Sequence, residues 1–205
     1  MAEIIVVRRF TPPGATVTTL WYVSHPEVAI DPDVPVPRWG LSAVGRRRAE
    51  ALAREPWLGG VRRIIASAEA KAVETAELLA AARGLPVEVR PDTGENDRSA
   101  TGFVPPDEFE RLADAFFARP EESVAGWERA ADAQARIVAA LADLVGPAAD
   151  GGGDVVVIGH GAVGTLWSCH LAGDPIDRRW DQPGPGHLFA VDLPTARLLH
   201  RWQAF

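Results

Sequence analysis

The sequence predicts an α/β fold, a three-layer α/β/α sandwich in a single domain spanning 1–205. Two observations carry that expectation. Short apolar, β-prone runs that stop at turn signals alternate with longer stretches of helical periodicity, the order that lays helices onto a sheet. The 205 residues, 47% of them hydrophobic, are enough for one good core and lie in the size range of single domains.

Residues 3–10 (EIIVVRRF) have strand composition, but Thr11-Pro12-Pro13-Gly14 breaks them off, so 1–16 reads as an N-terminal arm. The first core strand is expected over 17–23. It stops at Ser24-His25-Pro26, because Pro26 has no N–H to give to a ladder. The proline-rich residues 26–40 read as a stiff loop. Ser42 suits the N-cap of a helix over Ala43–Glu55. A second strand, Val61–Ala66, leads to Ser67, expected to cap a helix whose apolar positions are Ala72, Ala76, Leu79 and Ala80 and which Gly84 ends.

Pro86–Val89 is a short third strand. Residues 91–150 read as a helical insertion over the active site. Within it, 91–105 are irregular, and a helix from Pro106 carries Phe109, Leu112, Ala113, Phe116 and Phe117 on one face. A longer helix is expected from about Glu121 to Val145, its stripe starting at Trp127. The glycine-rich Ala148–Gly153 precedes the clearest strand, Asp154–Ile158, and a helix bearing Leu166, Trp167 and Leu171. After a loop at 173–187, Leu188–Leu193 and Ala196–Trp202 form a closing hairpin.

Composition excludes several classes. A net charge of -7 argues against nucleic acid or an anionic membrane surface as the main partner. The lone Cys169 allows no internal disulfide and suits a reducing compartment. No secretory signal is visible and none is expected, and no run approaches the roughly 20 apolar residues that span a bilayer. A soluble, cytoplasmic protein is expected, with its oligomeric state left open.

Three strand ends carry residues of related chemistry. Strand 17–23 delivers Ser24 and His25. Strand 61–66 delivers Ser67 and, one turn into the next helix, Lys71. Strand 154–158 delivers His160, with Gly161 opening a helix. If these strands are parallel neighbours, two imidazoles, an ammonium and free N–H groups converge on one crevice, a set suited to phosphate. Other readings fit less well. Gly159–Gly164 (GHGAVG) satisfies the dinucleotide fingerprint, but Asp181, at the required distance, lies in RRWDQPGPG, which is no buried strand. His170, His187 and His200 lack metal-ligand spacing, there is no G-x-S-x-G elbow, and Cys169 sits in an apolar helix.

These blocks, with GLSAVGRRRAEALA (Gly40–Ala53), ASAEAKAVETAELLA (Ala66–Ala80) and Glu95 in GENDRSATGF, resemble the histidine phosphatase superfamily, the phosphoglycerate-mutase-like group. The likeness runs from Thr18 to about Leu193. It implies a phosphoglycerate-mutase-like fold and phosphoryl transfer through a phosphohistidine, from a small phosphorylated substrate and without metal or organic cofactor. His25 would be the nucleophile, His160 and Lys71 would stabilise the phosphoryl oxygens, and Glu95, or Asp97 two residues on, would be the proton donor.

The departures are specific. The family's Arg-His-Gly reads Ser24-His25-Pro26 here, and Lys71 stands where a second arginine is usual. Serine brings no charge, and lysine lacks the bidentate fork of a guanidinium. Losing one such donor typically costs a factor of about 10² to 10³ in rate. Arg98 and Arg38 lie on loops that could reach the crevice, although a surface role is the simpler setting for each. Two readings follow: a phosphomonoester hydrolase of reduced rate, or a member that binds a phosphorylated ligand without turning it over.

Overall fold

Alternation along the strands decides the layers. In β1 (Thr19–Ser24), Leu20 and Tyr22 point to one face of the sheet and Trp21 and Val23 to the other, as the period of two requires. In β4 (Asp154–Gly159), Val155 and Val157 face the first side and Val156 and Ile158 the second. Both sides are buried, which is why the run reads as uninterrupted valine and isoleucine. The computed structural model describes residues 18–146 and 152–205. The expected arm at 1–16 and most of the glycine-rich 148–153 lie outside the described residues.

The remaining strands are β2 (Val61–Ala66), β3 (Val87–Val89), β5 (His187–Asp192) and β6 (Arg197–Ala204). Together they form one mixed six-stranded sheet in the order β3-β2-β4-β1-β5-β6. β3, β2, β4 and β1 run parallel; β5 is antiparallel to β1 and makes a hairpin with β6. On one face lie α1 (Ala43–Leu52) and α2 (Ala70–Arg83), burying Leu52, Ala72, Ala76 and Leu79 against the sheet. On the other lie α3 (Pro106–Ala118), α4 (Ala130–Leu141) and α5 (Gly161–Ala172), whose Phe116, Ile137, Leu141 and Trp167 share a core with Tyr22 and Phe189. The result is the three-layer α/β/α sandwich that the sequence predicts. Among the described residues no helix is long and apolar enough to cross a membrane.

The helix expected from Glu121 starts later, at Ala130. Ala125 and Gly126 both have positive φ, and Ser123 Oγ donates to the Trp127 carbonyl, so the chain turns where the apolar stripe would continue a helix. Trp127 still reaches the core, but from a turn. Ser42 caps α1 as expected, its hydroxyl accepting from Gly45 N at 3.0 Å. Ser67 does not cap α2: Glu69 holds that position, and the Ser67 hydroxyl is used elsewhere.

Candidate active site

Because β2, β4 and β1 are adjacent and parallel, their carboxyl ends lie side by side. Ala66 pairs with Ile158, and Ser24 with Gly159. Just beyond them, Ser67 N donates to Ile158 O and His25 N to Gly159 O, each at 3.1 Å. The two histidines therefore leave neighbouring strands in register. Their rings lie 5.3 Å apart between centroids in an edge-to-face arrangement. In an open sheet this end of the strands is where ligands sit.

His25 is half-buried and its Nδ1 lies 2.8 Å from Pro26 O. A carbonyl can only accept, so Nδ1 carries the proton and Nε2 keeps its lone pair free. Desolvation lowers the pKa of this ring from 6.5 to about 4, with Lys71 and Arg98 adding to the fall. His160 is fully buried and is also lowered well below the usual range, chiefly by desolvation. Its Nε2 lies 2.6 Å from Ser67 Oγ, while Nδ1 has no hydrogen-bond partner among the described residues.

Glu95 follows a short turn at Pro91–Thr93. Its carboxylate accepts from Ala162 N at 3.2 Å and Val163 N at 3.1 Å, so it occupies part of the α5 N-terminus that the sequence reading leaves free for an anion. Burial raises its pKa above the ordinary value, against the pull of Arg98 and the N–H groups. Asp97 is exposed, bonds locally to Ser99 N at 2.8 Å and has a lowered pKa, the opposite of what an acid needs. Arg136 on α4 fixes the loop through the carbonyls of Asp92, Gly94 and Glu95. Arg136 lies outside the apolar stripe of its helix, so periodicity does not disclose this anchor.

Two cavities adjoin here. One, of about 620 Å³, is bordered by Glu69, Glu95, Asp97 and Arg98. The other, of about 370 Å³, is bordered by His25 and Arg98 with apolar walls that include Trp39, Phe103, Phe109 and Trp127. Arg98 belongs to both, its guanidinium stacked over Phe109 and Trp127 at 5.1 and 5.6 Å and without an ion pair among the described residues. Arg38 is exposed.

The structure does not bring Ser24, Lys71, His160 or Gly161 to either cavity wall. Ser24 is fully buried. Its Oγ donates to Gln182 Oε1 at 2.5 Å and accepts from His187 N at 3.0 Å. Lys71 is 3% exposed and donates to Val36 O at 2.9 Å and to Glu69. Sequence reading misses both partners: Gln182 lies in a proline-glycine loop, and Glu69 is one acid among many on a helix start.

The glycines of GHGAVG answer to packing. A Cβ on Gly159 would lie 2.2 Å from the Tyr22 hydroxyl, one on Gly161 2.5 Å from Gln182 Nε2, and one on Gly164 2.5 Å from the Tyr22 ring. The spacing that mimics a dinucleotide fingerprint is set by side chains of this protein.

The carboxyl end of this mostly parallel sheet thus gathers two facing imidazoles, a carboxyl whose pKa is raised and a stacked guanidinium. The family model described as histidine phosphatase superfamily (branch 1) matches residues 21–191, and the chain belongs to that superfamily. A search of curated proteins finds no match to this sequence. Similar solved structures include a mycobacterial glucosyl-3-phosphoglycerate phosphatase with inorganic phosphate, at 21% identity and TM-score 0.71, covering 91% of this chain and 98% of that one. YhfR of Bacillus stearothermophilus gives 22% identity and TM-score 0.71 over 90% and 95% of the two chains. A Thermus thermophilus protein gives 23% and 0.67 over 92% and 100%. At these identities the likeness is one of fold.

Proposed function

We propose that the protein is a phosphomonoester hydrolase with His25 as nucleophile. The observation that carries this is the state of the His25 ring: Nδ1–H donated to Pro26 O, Nε2 unengaged, and a pKa of about 4 that keeps the ring neutral at ordinary pH. Nε2 attacks phosphorus as the bond from phosphorus to the ester oxygen breaks, and Glu95 gives its proton to the departing oxygen. Water then attacks the phosphohistidine, losing a proton to the Glu95 carboxylate, and His25 is released with inorganic phosphate. Where Ser67 donates to His160 Nε2, the His160 proton sits on Nδ1, a buried donor in need of an acceptor, and a phosphoryl oxygen meets that need. Arg98 supplies charge from the shared wall of the two cavities. Family membership and the activity of the mycobacterial neighbour support the phosphatase class.

Hydrolysis of an aryl phosphate across pH 4–8 tests the reading. His25→Ala is expected to lower turnover at least about 100-fold, given what one nucleophile contributes. Activity needs His25 neutral, hence a pH above about 4, and Glu95 protonated, hence a pH below its raised pKa. The profile is therefore a bell with its acid limb near pH 4 and its alkaline limb at the raised Glu95 pKa, and Glu95→Gln removes the alkaline limb with most of the rate. A His25→Ala protein as active as the native one defeats the proposal. A second reading, ligand binding without turnover, is favoured by one observation: neither Ser24 nor Lys71 has a charge or hydroxyl free for substrate. It predicts measurable phosphate binding with no turnover at any pH.

A further inference from the structure

Beside the His25 crevice, a cluster of donors already holds an anion, the carboxylate of Glu69. It lies at the start of α2, 13% exposed in its side chain, against Lys71, which is 4% exposed. One oxygen takes the Lys71 ammonium. The other accepts the Glu95 peptide N–H at 2.9 Å and lies 3.4 Å from His160 Nε2. The Glu69 peptide N–H in turn donates to Ser67 Oγ at 3.3 Å, the hydroxyl that contacts His160. An ammonium and a peptide N–H are the kinds of donor that bind phosphoryl oxygens. Here they surround two carboxylate oxygens. Against the cost of burial, the Lys71 ammonium and the Glu95 N–H help hold the Glu69 pKa down to about 2, so it is ionised at any pH where the enzyme would work.

We propose that Glu69 is a specificity-determining residue that occupies the oxyanion cradle beside His160, neutralises Lys71 and disfavours free phosphate dianion. The inference rests on reading the His25 crevice as a phosphoryl site. A substrate then gains little affinity from its phosphoryl group and must be held through its leaving group. The wall available for that beside His25 is the apolar one of Trp39, Phe103, Phe109 and Trp127, which suits an aryl or alkyl phosphate better than a sugar phosphate.

The test is inorganic phosphate titrated into the full-length protein by calorimetry, with unfolding curves to check each variant. Glu69→Gln and Glu69→Leu are expected to tighten phosphate binding by about tenfold, the worth of one released charged hydrogen bond. Adding Lys71→Met to Glu69→Leu is expected to remove that gain, and the double variant folds because an apolar pair replaces a buried ion pair. Folded Glu69 variants with unchanged or weaker phosphate binding overturn the proposal, as does a gain that survives the loss of Lys71. KM for an aryl phosphate lower than that for a sugar phosphate supports the leaving-group inference; the reverse order overturns it. Failure of the hydrolase reading is seen separately, as turnover that persists in His25→Ala, whatever Glu69 does to phosphate binding.

Discussion

Ser24 shows how one substitution changes a neighbourhood. A guanidinium at this position would need an anion; the serine hydroxyl instead bonds Gln182 Oε1 and the β5 backbone at His187 in a fully buried setting. Ser24→Ala leaves both partners unsatisfied, and a loss of about 1–3 kcal/mol in urea unfolding is expected. A loss below about 0.5 kcal/mol would show that Gln182 finds water or another partner. The Ser-His-Pro departure is plain in the sequence, whereas its compensation is not. Gln182 is 158 residues from Ser24, and no local pattern joins a glutamine in a proline-glycine loop to a strand end. Glu69 was hidden for another reason: an acidic residue at a helix start is ordinary, and only the fold turns it toward Lys71 and His160.

At the level of elements, the segment after His25 is seated on α1. Ser42 N donates to Glu27 O at 3.0 Å, Ser42 Oγ donates to Glu27 Oε1 at 2.6 Å, and a Cβ on Gly45 would lie 2.0 Å from that same carbonyl oxygen. In an exposed helix Gly→Ala gains about 1 kcal/mol. Here Gly45→Ala must displace the backbone two residues past His25, the proposed nucleophile. It is expected to lower both stability and turnover, read by thermal unfolding and aryl phosphate hydrolysis. A more stable, fully active variant would mean that the loop after His25 does not need its seat. Periodicity and capping made α1, α3 and the parallel strands legible. They failed between Glu121 and Arg129, because Ala125 and Gly126 adopt positive φ inside a stripe whose spacing stays apolar. Hydrophobic spacing reports burial, and a turn can bury Trp127 as well as a helix can.

For the whole molecule, the buried groups dictate how stability follows pH. The folded pKa of His25 is about 4 against an ordinary 6.5, and that of His160 is lowered as well. Below about 6.5 the unfolded chain takes up protons that the folded chain refuses, so stability falls as pH drops toward 4. Glu69, lowered from 4.5 to about 2, continues the loss below 4.5. Glu95, raised by burial, acts in the other direction and favours the fold at low pH. The urea midpoint of the native protein is expected to fall between pH 6.5 and 4, and less steeply in His25→Asn. Equal slopes in the two proteins would show that His25 titrates normally in the fold. That the ends of β2, β4 and β1 meet at one end of the sheet follows from the order of elements once the strands are parallel neighbours. The charge balance inside the crevice does not, since it depends on which acid faces which base.

The seat of Glu95 on α5 bears on how fast a proton can move. Ala162 and Val163 already direct their N–H dipoles at the Glu95 oxygens. On the proposed path, the negative charge left when Glu95 gives up its proton appears on atoms whose surroundings are aligned before the event. Little reorientation of solvent or side chain accompanies the transfer, and the same fixed shell serves when the carboxylate takes a proton back from water. On that proposed path the helix keeps the reorganisation energy of both half-reactions low, and one carboxyl alternates between acid and base without changing its position.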